Sequence, residues 1–241
     1  MADEQSSAGE NVALTLARGP SLTEQAAESI RSRIVRGVLQ CGEPLSEIAL
    51  AQELGVSKTP VREALIQLKR QGLVEIHPQR GTFVFEMNAA EVRDLAEMRA
   101  ILEGAALRLA AERDGEALCR AWEPIVAEMQ AAASAGDAEA YRVLDGAFHD
   151  AIVDAAGNAF LTDAFTGIAF RIQALRSRLS LDPSLNISSL DEHVQLLDMV
   201  RNKRSKKAAD LLQSHIEGTR DRYLAVLGGF GAGEDAGARP G

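Results

Sequence analysis

The chain has 241 residues, of which 46% are hydrophobic, 25% charged and 4% aromatic, and its formal net charge at neutral pH is −9. Composition of this kind is typical of a globular protein with one large or two modest domains, and frequent Ala and Leu beside few aromatic residues favour helices over sheet. No apolar run is long enough to cross a membrane, no secretion signal is evident, and Cys41 and Cys119 lack metal or redox spacing, so we expect a cytoplasmic protein with reduced thiols.

The acidic charge is concentrated in the C-terminal part of the chain. Residues 21–85 contain eight Lys and Arg against seven Asp and Glu, a net charge of +1, whereas residues 86–241 contain 17 against 25, a net charge of −8. A small DNA-binding motif needs a few well-placed cations rather than a basic isoelectric point. The net charge of the whole chain therefore does not exclude nucleic acid as a partner.

A first folded block is predicted to follow a flexible tail at residues 1–20. Ser21 and Glu24 have the spacing of a capping box at the start of a helix. Apolar residues then recur at helical spacing, at Ala26, Ile30, Ile34 and Val38. Gly42 and Pro44 are predicted to break the chain after this helix.

Two shorter helices and a β-hairpin complete the predicted block. One helix is expected between Ser46 and Gly55, and the next between Ser57 and Gly72, with Pro60 in its first turn. Two β-prone runs follow, at 73–76 and 82–85, joined by the turn at 77–81. This order predicts a winged helix-turn-helix over residues 21–85 rather than a generic three-helix domain.

The third predicted helix has an apolar and a polar face. The apolar positions follow helical spacing and are predicted to face the core: Val61, Ala64, Leu65 and Leu68. Lys58, Thr59 and Arg62 lie on the other side, near the helix N-terminus, where a recognition helix enters the major groove. Arg62 can bind guanine through two hydrogen bonds, and Arg80-Gly81 at the tip of the hairpin could reach the backbone or the minor groove. The alternative is a solvated face without a DNA contact.

The rest of the chain is predicted to be helical almost throughout. Helices are expected at 89–112, 115–134, 137–156, 158–180, 187–201 and 203–227, with no strand pattern. The predicted fold is therefore mainly α, with the winged helix-turn-helix followed by an all-helical bundle of six or seven helices. We place a linker at 86–90, the helical domain at 91–227 and a Gly-rich flexible tail at 228–241.

Three of the four histidines fall in the helical block, at His149, His193 and His215. Asp145 precedes His149 by one helical turn, so both side chains lie on one face. An aspartate with three histidines can bind a divalent metal, since imidazole suits Zn, Ni or Fe and a carboxylate keeps harder ions available. The alternative is that these are buried, hydrogen-bonded histidines without a metal.

The N-terminal block resembles the GntR family of bacterial transcription regulators. The resemblance is carried by Gly42 through Leu45-Ser46-Glu47, by LAQELGVSKTPVREAL (50–65) and by QGLVEIHPQRGTFV (71–84). It implies contacts with a double-stranded DNA operator from Ser57, Lys58, Thr59 and Arg62 and from the wing at Arg80 and Gly81. The chain departs from the family pattern at Lys58, where Arg is usual, and at Pro44, where Arg or another polar residue is common.

The C-terminal block resembles the FadR-type ligand-binding domain (FCD) of these regulators. The marks are EMRAILEGAALRLAA (97–111), Asp145-x-x-Phe148-His149, Gly157-Asn158, Glu192-His193 and His215. The resemblance implies a divalent metal, with zinc as first choice and Ni, Mn or Fe as alternatives, held by Asp145, His149, His193 and His215. It also implies a homodimeric repressor of the FadR subfamily that senses a small carboxylate.

Arg99 matches an arginine of this family that faces the cavity, where its fork could bind the carboxylate. The alternative for Arg99 is an exposed ion pair with Glu103 or with a neighbouring acid. Two other functions remain open at this point: a regulator for which the metal ion itself is the signal, and a metal-dependent hydrolase, against which the DNA-binding pattern argues.

Overall fold

The computed structural model describes residues 19–179 and 183–231, and within them lie eight helices and three short strands. Most of both predicted tails, residues 1–20 and 228–241, lies outside the described residues. None of the described helices is both long and apolar enough to span a membrane.

The N-terminal domain has the helices and the hairpin that the sequence predicts. Its elements are α1 (Leu22–Val35), β1 (Pro44–Leu45), α2 (Glu47–Leu54), α3 (Lys58–Arg70), β2 (Val74–His77) and β3 (Gly81–Val84). The predicted capping box is present: the Ser21 side chain accepts a hydrogen bond from the Glu24 amide, and the Glu24 carboxylate accepts one from the Ser21 amide at 2.6 Å. Val38 was predicted to join the apolar face of α1, but it lies beyond the helix and is 57% exposed.

The sheet has one strand more than predicted. β3 pairs antiparallel with β2 and also with β1, so the strand order is β1-β3-β2. The sequence predicted only a break in the chain around Gly42 and Pro44. Proline has no amide hydrogen to donate to a neighbouring strand, so a strand was not expected there. Pro44 is tolerated here since β1 is an edge strand.

Ser57 is the N-cap of α3, as predicted, but its side chain accepts no hydrogen bond from the first turn. The physical reason is Pro60, which occupies the third helical position and has no amide hydrogen to offer a cap. The Ser57 hydroxyl is therefore exposed at the start of the helix without a capping role.

The C-terminal domain is a helical bundle. It contains α4 (Ala89–Ala135), α5 (Ala138–Ala155), α6 (Ala159–Leu179), α7 (Pro183–Arg201) and α8 (Ser205–Gly231). Asp114 has non-helical backbone angles (φ −158°, ψ 78°) and divides α4 into two segments, one residue before the break predicted at Gly115. The described residues thus give five helices, or six helical segments. α7 begins at Pro183 rather than at 187, and α8 continues past its predicted end at 227.

The bundle core places the histidines in its interior. Trp122 of α4 stacks on Phe148 of α5 with 4.3 Å between ring centroids, and the indole N–H donates to the Phe148 carbonyl at 2.9 Å. Phe148 in turn lies 4.3 Å from the ring of His193 on α7. This aromatic stack fixes α5 against α4 and α7, so that the residue after Phe148 points into the bundle.

Helix α6 of the bundle packs against the N-terminal domain. Arg171 donates through Nε to the carbonyl oxygen of Gly72 at 2.9 Å, and Arg31 of α1 lies over the Phe170 ring, 4.7 Å from its centroid. Gly72 has a positive φ of 69°, which favours glycine, and a Cβ there would collide with the Arg171 guanidinium. The two domains therefore meet at the end of α3 and the middle of α6.

Candidate metal centre and DNA-reading surface

Three helices of the bundle bring the four predicted metal ligands together. Asp145 and His149 project from one face of α5, His193 comes from α7, and His215 comes from α8. Each of the four residues offers one potential ligand atom, and these atoms all lie within 4.8 Å of one another. All four are buried, with exposed fractions of 8%, 1%, 0% and 2% in that order.

Two carboxylates orient two of the histidines. Glu103 of α4 lies 2.6 Å from Nδ1 of His149, and Glu192 of α7 lies 2.6 Å from Nδ1 of His215. A carboxylate that accepts a hydrogen bond from Nδ1 fixes the tautomer, so that Nε2 carries the lone pair of the imidazole. This is the outer arrangement that metal-binding histidines usually have. Nε2 of His215 is free to act as a ligand, whereas Nε2 of His149 lies 3.0 Å from Nη2 of Arg99, which would have to move aside for a metal.

His193 is the strongest sign that the cluster fits a metal. Neither of its ring nitrogens has a hydrogen-bond partner, although the residue is fully buried. Burial and the neighbouring His215 lower the pKa of His193 to about 3, so its imidazole is neutral at pH 7, which is the form that ligates metals. An unpaired buried nitrogen is costly, and a divalent ion would remove that cost.

Asp145 stays ionised inside this cluster. Burial alone raises its pKa, but Arg176 of α6 and the surrounding histidines more than offset burial and hold the pKa below its usual range. Nη1 of Arg176 lies 3.0 Å from Oδ2 of Asp145, and Nε2 of His193 lies 3.6 Å from Oδ1. One neutral imidazole and one charged carboxylate oxygen thus face each other. The donor set fits a divalent ion such as zinc.

Arg99 is buried beside the cluster and is already paired. Its Nε donates to Glu103 at 2.6 Å, and its Nη2 lies 3.0 Å from Nε2 of His149. The ion pair with Glu103, which was the alternative for Arg99, is therefore present, but it is buried rather than exposed, with side-chain exposures of 4% and 0%. Arg99 links the first helix of the domain to the cluster.

Sequence reasoning gave no role in orienting the ligands to three charged residues: Glu103, which it named only as a partner for Arg99, Glu192, which it named only as part of a motif, and Arg176. Glu192 precedes His193 directly, and Glu103 follows Arg99 by one helical turn, so their positions in the sequence were signals for such a role. Arg176 had no such signal, because only the packing of α6 against α5 brings it to Asp145.

The DNA-reading candidates lie on α3 where the sequence placed them. Lys58, Thr59 and Arg62 are exposed, and the apolar residues predicted to face the core are all buried. Arg62 is not free, because its guanidinium makes hydrogen bonds of 2.9–3.2 Å to Glu47 of α2. This ion pair is exposed and fixes Arg62 only weakly.

The wing candidates lie at the tip of the hairpin. Arg80 and Gly81 are both exposed, and the turn is closed by a hydrogen bond of 3.2 Å from the Arg80 amide to the His77 carbonyl. Gln79 and Gly81 have positive φ angles of 63° and 112°, which turn the chain sharply between β2 and β3. The Arg80 side chain is therefore presented to solvent beyond the sheet.

Comparisons with known proteins agree with this architecture. Residues 22–84 match the family model described as "Bacterial regulatory proteins, gntR family", and residues 94–218, more than half of the chain, match the FCD domain model. The structure superposes on E. coli McbR/YncC with a TM-score of 0.76 and 22% identity, covering 87% of this chain and 100% of that one. At this identity the superposition supports the fold alone.

Two relatives are named as operon repressors. The "Probable D-xylose utilization operon transcriptional repressor" of Paenarthrobacter nicotinovorans is 28% identical over 219 residues, covering 90% of this chain and 93% of that protein. The "Gluconate operon transcriptional repressor" of Bacillus subtilis is 24% identical over 201 residues, covering 81% and 82%. These relatives are regulators rather than enzymes, which argues against the hydrolase. The chain belongs to the GntR family of bacterial regulatory proteins, with an FCD domain, and is a DNA-binding transcriptional regulator.

Proposed function

We propose that this regulator is a cytoplasmic, homodimeric repressor of the FadR subfamily whose C-terminal domain binds a divalent metal, with zinc as first choice, and a small organic acid. In this proposal residues 21–85 read the operator, residues 86–90 link the domains, and residues 91–227 sense the ligand. The observation that carries the proposal is the buried cluster of Asp145, His149, His193 and His215, in which the His193 nitrogens lack any other partner.

The metal would supply positive charge and open coordination positions for a carboxylate in a buried site. The chain's own residues hold the ligand atoms in place: Glu103 and Glu192 orient two of the imidazoles, and Asp145 provides the one carboxylate among the four ligands. Arg99 adds a cation at the edge of the cluster. These groups together favour a compact anion over a neutral or cationic ligand.

DNA reading is assigned to the N-terminal end of α3 and to the wing. Ser57, Lys58, Thr59 and Arg62 are exposed on one surface, and Arg80 and Gly81 extend the same domain at the hairpin tip. A two-fold dimer would place two such helices on half-sites about one helical turn of DNA apart. The repressor names of the two relatives support a repressor over an activator.

The test is a DNA titration with purified full-length protein and an operator selected from random duplexes. We expect zinc alone to leave operator affinity nearly unchanged, and zinc with a carboxylate to change it by about 5- to 150-fold, the usual range of coupling between sites. If zinc alone releases the DNA, the ion itself is the signal and the organic acid is not needed. If no divalent ion binds in stoichiometric amount, the metal assignment is wrong.

A further inference from the structure

Two exposed isoleucines lie on the helices that carry the DNA-reading candidates. Ile48 of α2 and Ile66 of α3 are 52% and 41% exposed, and other apolar residues of the two helices form their buried faces. An isoleucine side chain that meets only water gains nothing, whereas contact with an apolar partner removes its hydrocarbon from water. We call these two residues the isoleucine pair.

Ile66 lies in the middle of the polar face of α3. It follows Arg62 by one helical turn and Thr59 by two, so the three side chains share one face. The side of α3 that turns towards α1 carries Glu63, whose carboxylate accepts a hydrogen bond from the Thr23 hydroxyl at 2.8 Å. Ile66 therefore extends the row of exposed reading groups along the helix with an apolar side chain.

Ile48 lies next to the residue that binds Arg62. Glu47 precedes it directly in α2 and accepts hydrogen bonds of 2.9–3.2 Å from the Arg62 guanidinium. Helix α1 packs on a different face of α2, where Arg33 contacts Glu53 at 2.6 Å, and Glu53 is roughly 140° around the helix from Ile48. The Ile48 side chain is thus one residue from the Arg62 contact and is left uncovered by α1.

The ion pair with Glu47 leaves the end of the Arg62 guanidinium available. Glu47 accepts from Nε and Nη2, which form one edge of the planar group, so one N–H of Nη2 and both of Nη1 remain outside the ion pair. Nη1 and Nη2 together form the fork that binds O6 and N7 of guanine. Arg62 can therefore bind a guanine while Glu47 holds it in place.

We propose that Ile48 and Ile66 read thymine in the operator, by packing against its C5-methyl group at positions next to the guanine bound by Arg62. The thymine methyl is the apolar group that base pairs present in the major groove, and the other bases present hydrogen-bonding groups there. Burial of this methyl against isoleucine favours thymine over cytosine at the same position. The inference names the bases that the reading surface selects, and it rests on the proposed function, which assigns α3 to the operator.

The first test measures operator affinity after the removal of single methyl groups. An operator is selected from random duplexes with the full-length protein, and each thymine is replaced in turn by deoxyuridine, which lacks only the C5-methyl. The guanine that Arg62 binds is the position at which Arg62→Ala loses its base preference. At thymines next to this guanine we expect uracil to weaken binding by about fourfold, the value of burying one methyl-sized group. Unchanged affinity at every such position, or a selected operator without thymine there, overturns the inference.

Two variants assign the methyl groups to individual side chains. In Ile48→Ala and Ile66→Ala, the loss caused by uracil should nearly vanish at the thymine that the removed side chain contacts, and should persist at the other. Comparing both substitutions in this way cancels the effect of uracil on the duplex itself. Both variants should fold, because alanine is favourable at exposed helix positions. A uracil effect of the same size in wild type and in both variants contradicts the proposal.

Val38→Ala is the matched control. Val38 is a β-branched residue of the same domain and is 57% exposed. It adjoins Gly37, where a Cβ would lie 3.1 Å from Oγ of Ser177 on α6, so this turn faces the C-terminal domain. Val38→Ala should therefore keep the full uracil effect at every thymine. Loss of that effect in the control would show that the readout does not report a direct contact, and the assignment would fail.

Arg62→Ala and the oligomeric state separate this inference from the proposed function. If Arg62→Ala leaves affinity and base preference unchanged, α3 does not read the operator, and the DNA-reading assignment and the inference fail together. If Arg62→Ala relaxes the guanine preference but uracil has no effect, the DNA-reading assignment stands and the inference is wrong. If the isoleucine variants dissociate the protein in sedimentation and keep the full uracil effect, the pair is a contact between copies of the chain, which also overturns the inference.

Discussion

Replacing His193 by alanine should change the free energy of unfolding far more with metal than without it. In the metal-free protein the change removes two buried nitrogens that have no partner, which relieves a cost of about 1–3 kcal/mol for each such group. It also opens a cavity and removes the ring contact with Phe148 at 4.3 Å between centroids. These effects oppose each other, so we expect only a small net change in the free energy of unfolding.

With zinc present the same change should be strongly destabilising. At a free zinc concentration of 100 times the Kd, binding to the folded state alone contributes about 2.7 kcal/mol. Loss of one of four ligands that raises the Kd by about 100-fold would remove most of that contribution. We therefore expect His193→Ala to lower the free energy of unfolding by about 2 kcal/mol more in zinc than in chelator.

The assay is denaturant unfolding of both proteins in zinc and in chelator, with metal content measured on the same samples. His77→Ala is the matched control, because His77 lies in the wing, outside the cluster, and pairs with Glu75. His77→Ala should change the free energy of unfolding by the same amount in zinc and in chelator. Equal destabilisation of His193→Ala in zinc and in chelator would show that the imidazole only fills the core, and the metal assignment would fail.

Four further outcomes are expected. Arg62→Ala should weaken operator binding by roughly 1–3 kcal/mol in a gel-shift assay with unchanged circular dichroism, and unchanged affinity would exclude this contact. Lys58→Arg should strengthen operator binding, since Arg adds a planar fork, and a tenfold loss in a binding isotherm would contradict this. Gly72→Ala should lower the melting temperature, because φ is 69° and the new Cβ would collide with Arg171; an unchanged melting temperature refutes the clash. In chelator, the free energy of unfolding should fall as the pH drops below about 6.5, by about 1.4 kcal/mol per pH unit for His193. The reason is that the pKa of His193 is 6.5 in the unfolded chain and about 3 in the folded protein, so the unfolded chain binds the proton first. A free energy of unfolding that is constant between pH 7.5 and 5.5 contradicts this.

The sequence predicts best where the signal is local. The apolar spacing of α3 and the capping box at Ser21 each depend on residues within one or two helical turns, and the structure has both. The pairing of Asp145 with His149 on one face follows from their separation along a single helix. Each of these predictions needs only helix geometry.

The sequence fails where the outcome depends on long-range packing. β1 exists only because β3 lies beside it, and a two-residue run containing Pro44 has no strand signal of its own. Arg176 follows Ile172 and Leu175 on α6, and an arginine in that position usually extends to solvent. Its burial comes from the contact of α6 with α5, which no local pattern reports. Arg176 is thus the residue of this site for which the sequence has no signal.

Helix α6 connects the candidate metal site to the N-terminal domain. Arg176 and Arg171 are five residues apart on this helix, roughly 7.5 Å along its axis. Arg176 contacts Asp145 of the candidate metal site, and Arg171 contacts the Gly72 carbonyl. Because coupling between two binding equilibria is reciprocal, any factor by which a ligand changes operator affinity must reappear when the operator changes ligand affinity. Titration of the ligand with and without operator, and titration of the operator with and without ligand, should therefore give the same coupling energy. An α6 variant that loses the Gly72 contact should reduce both factors equally.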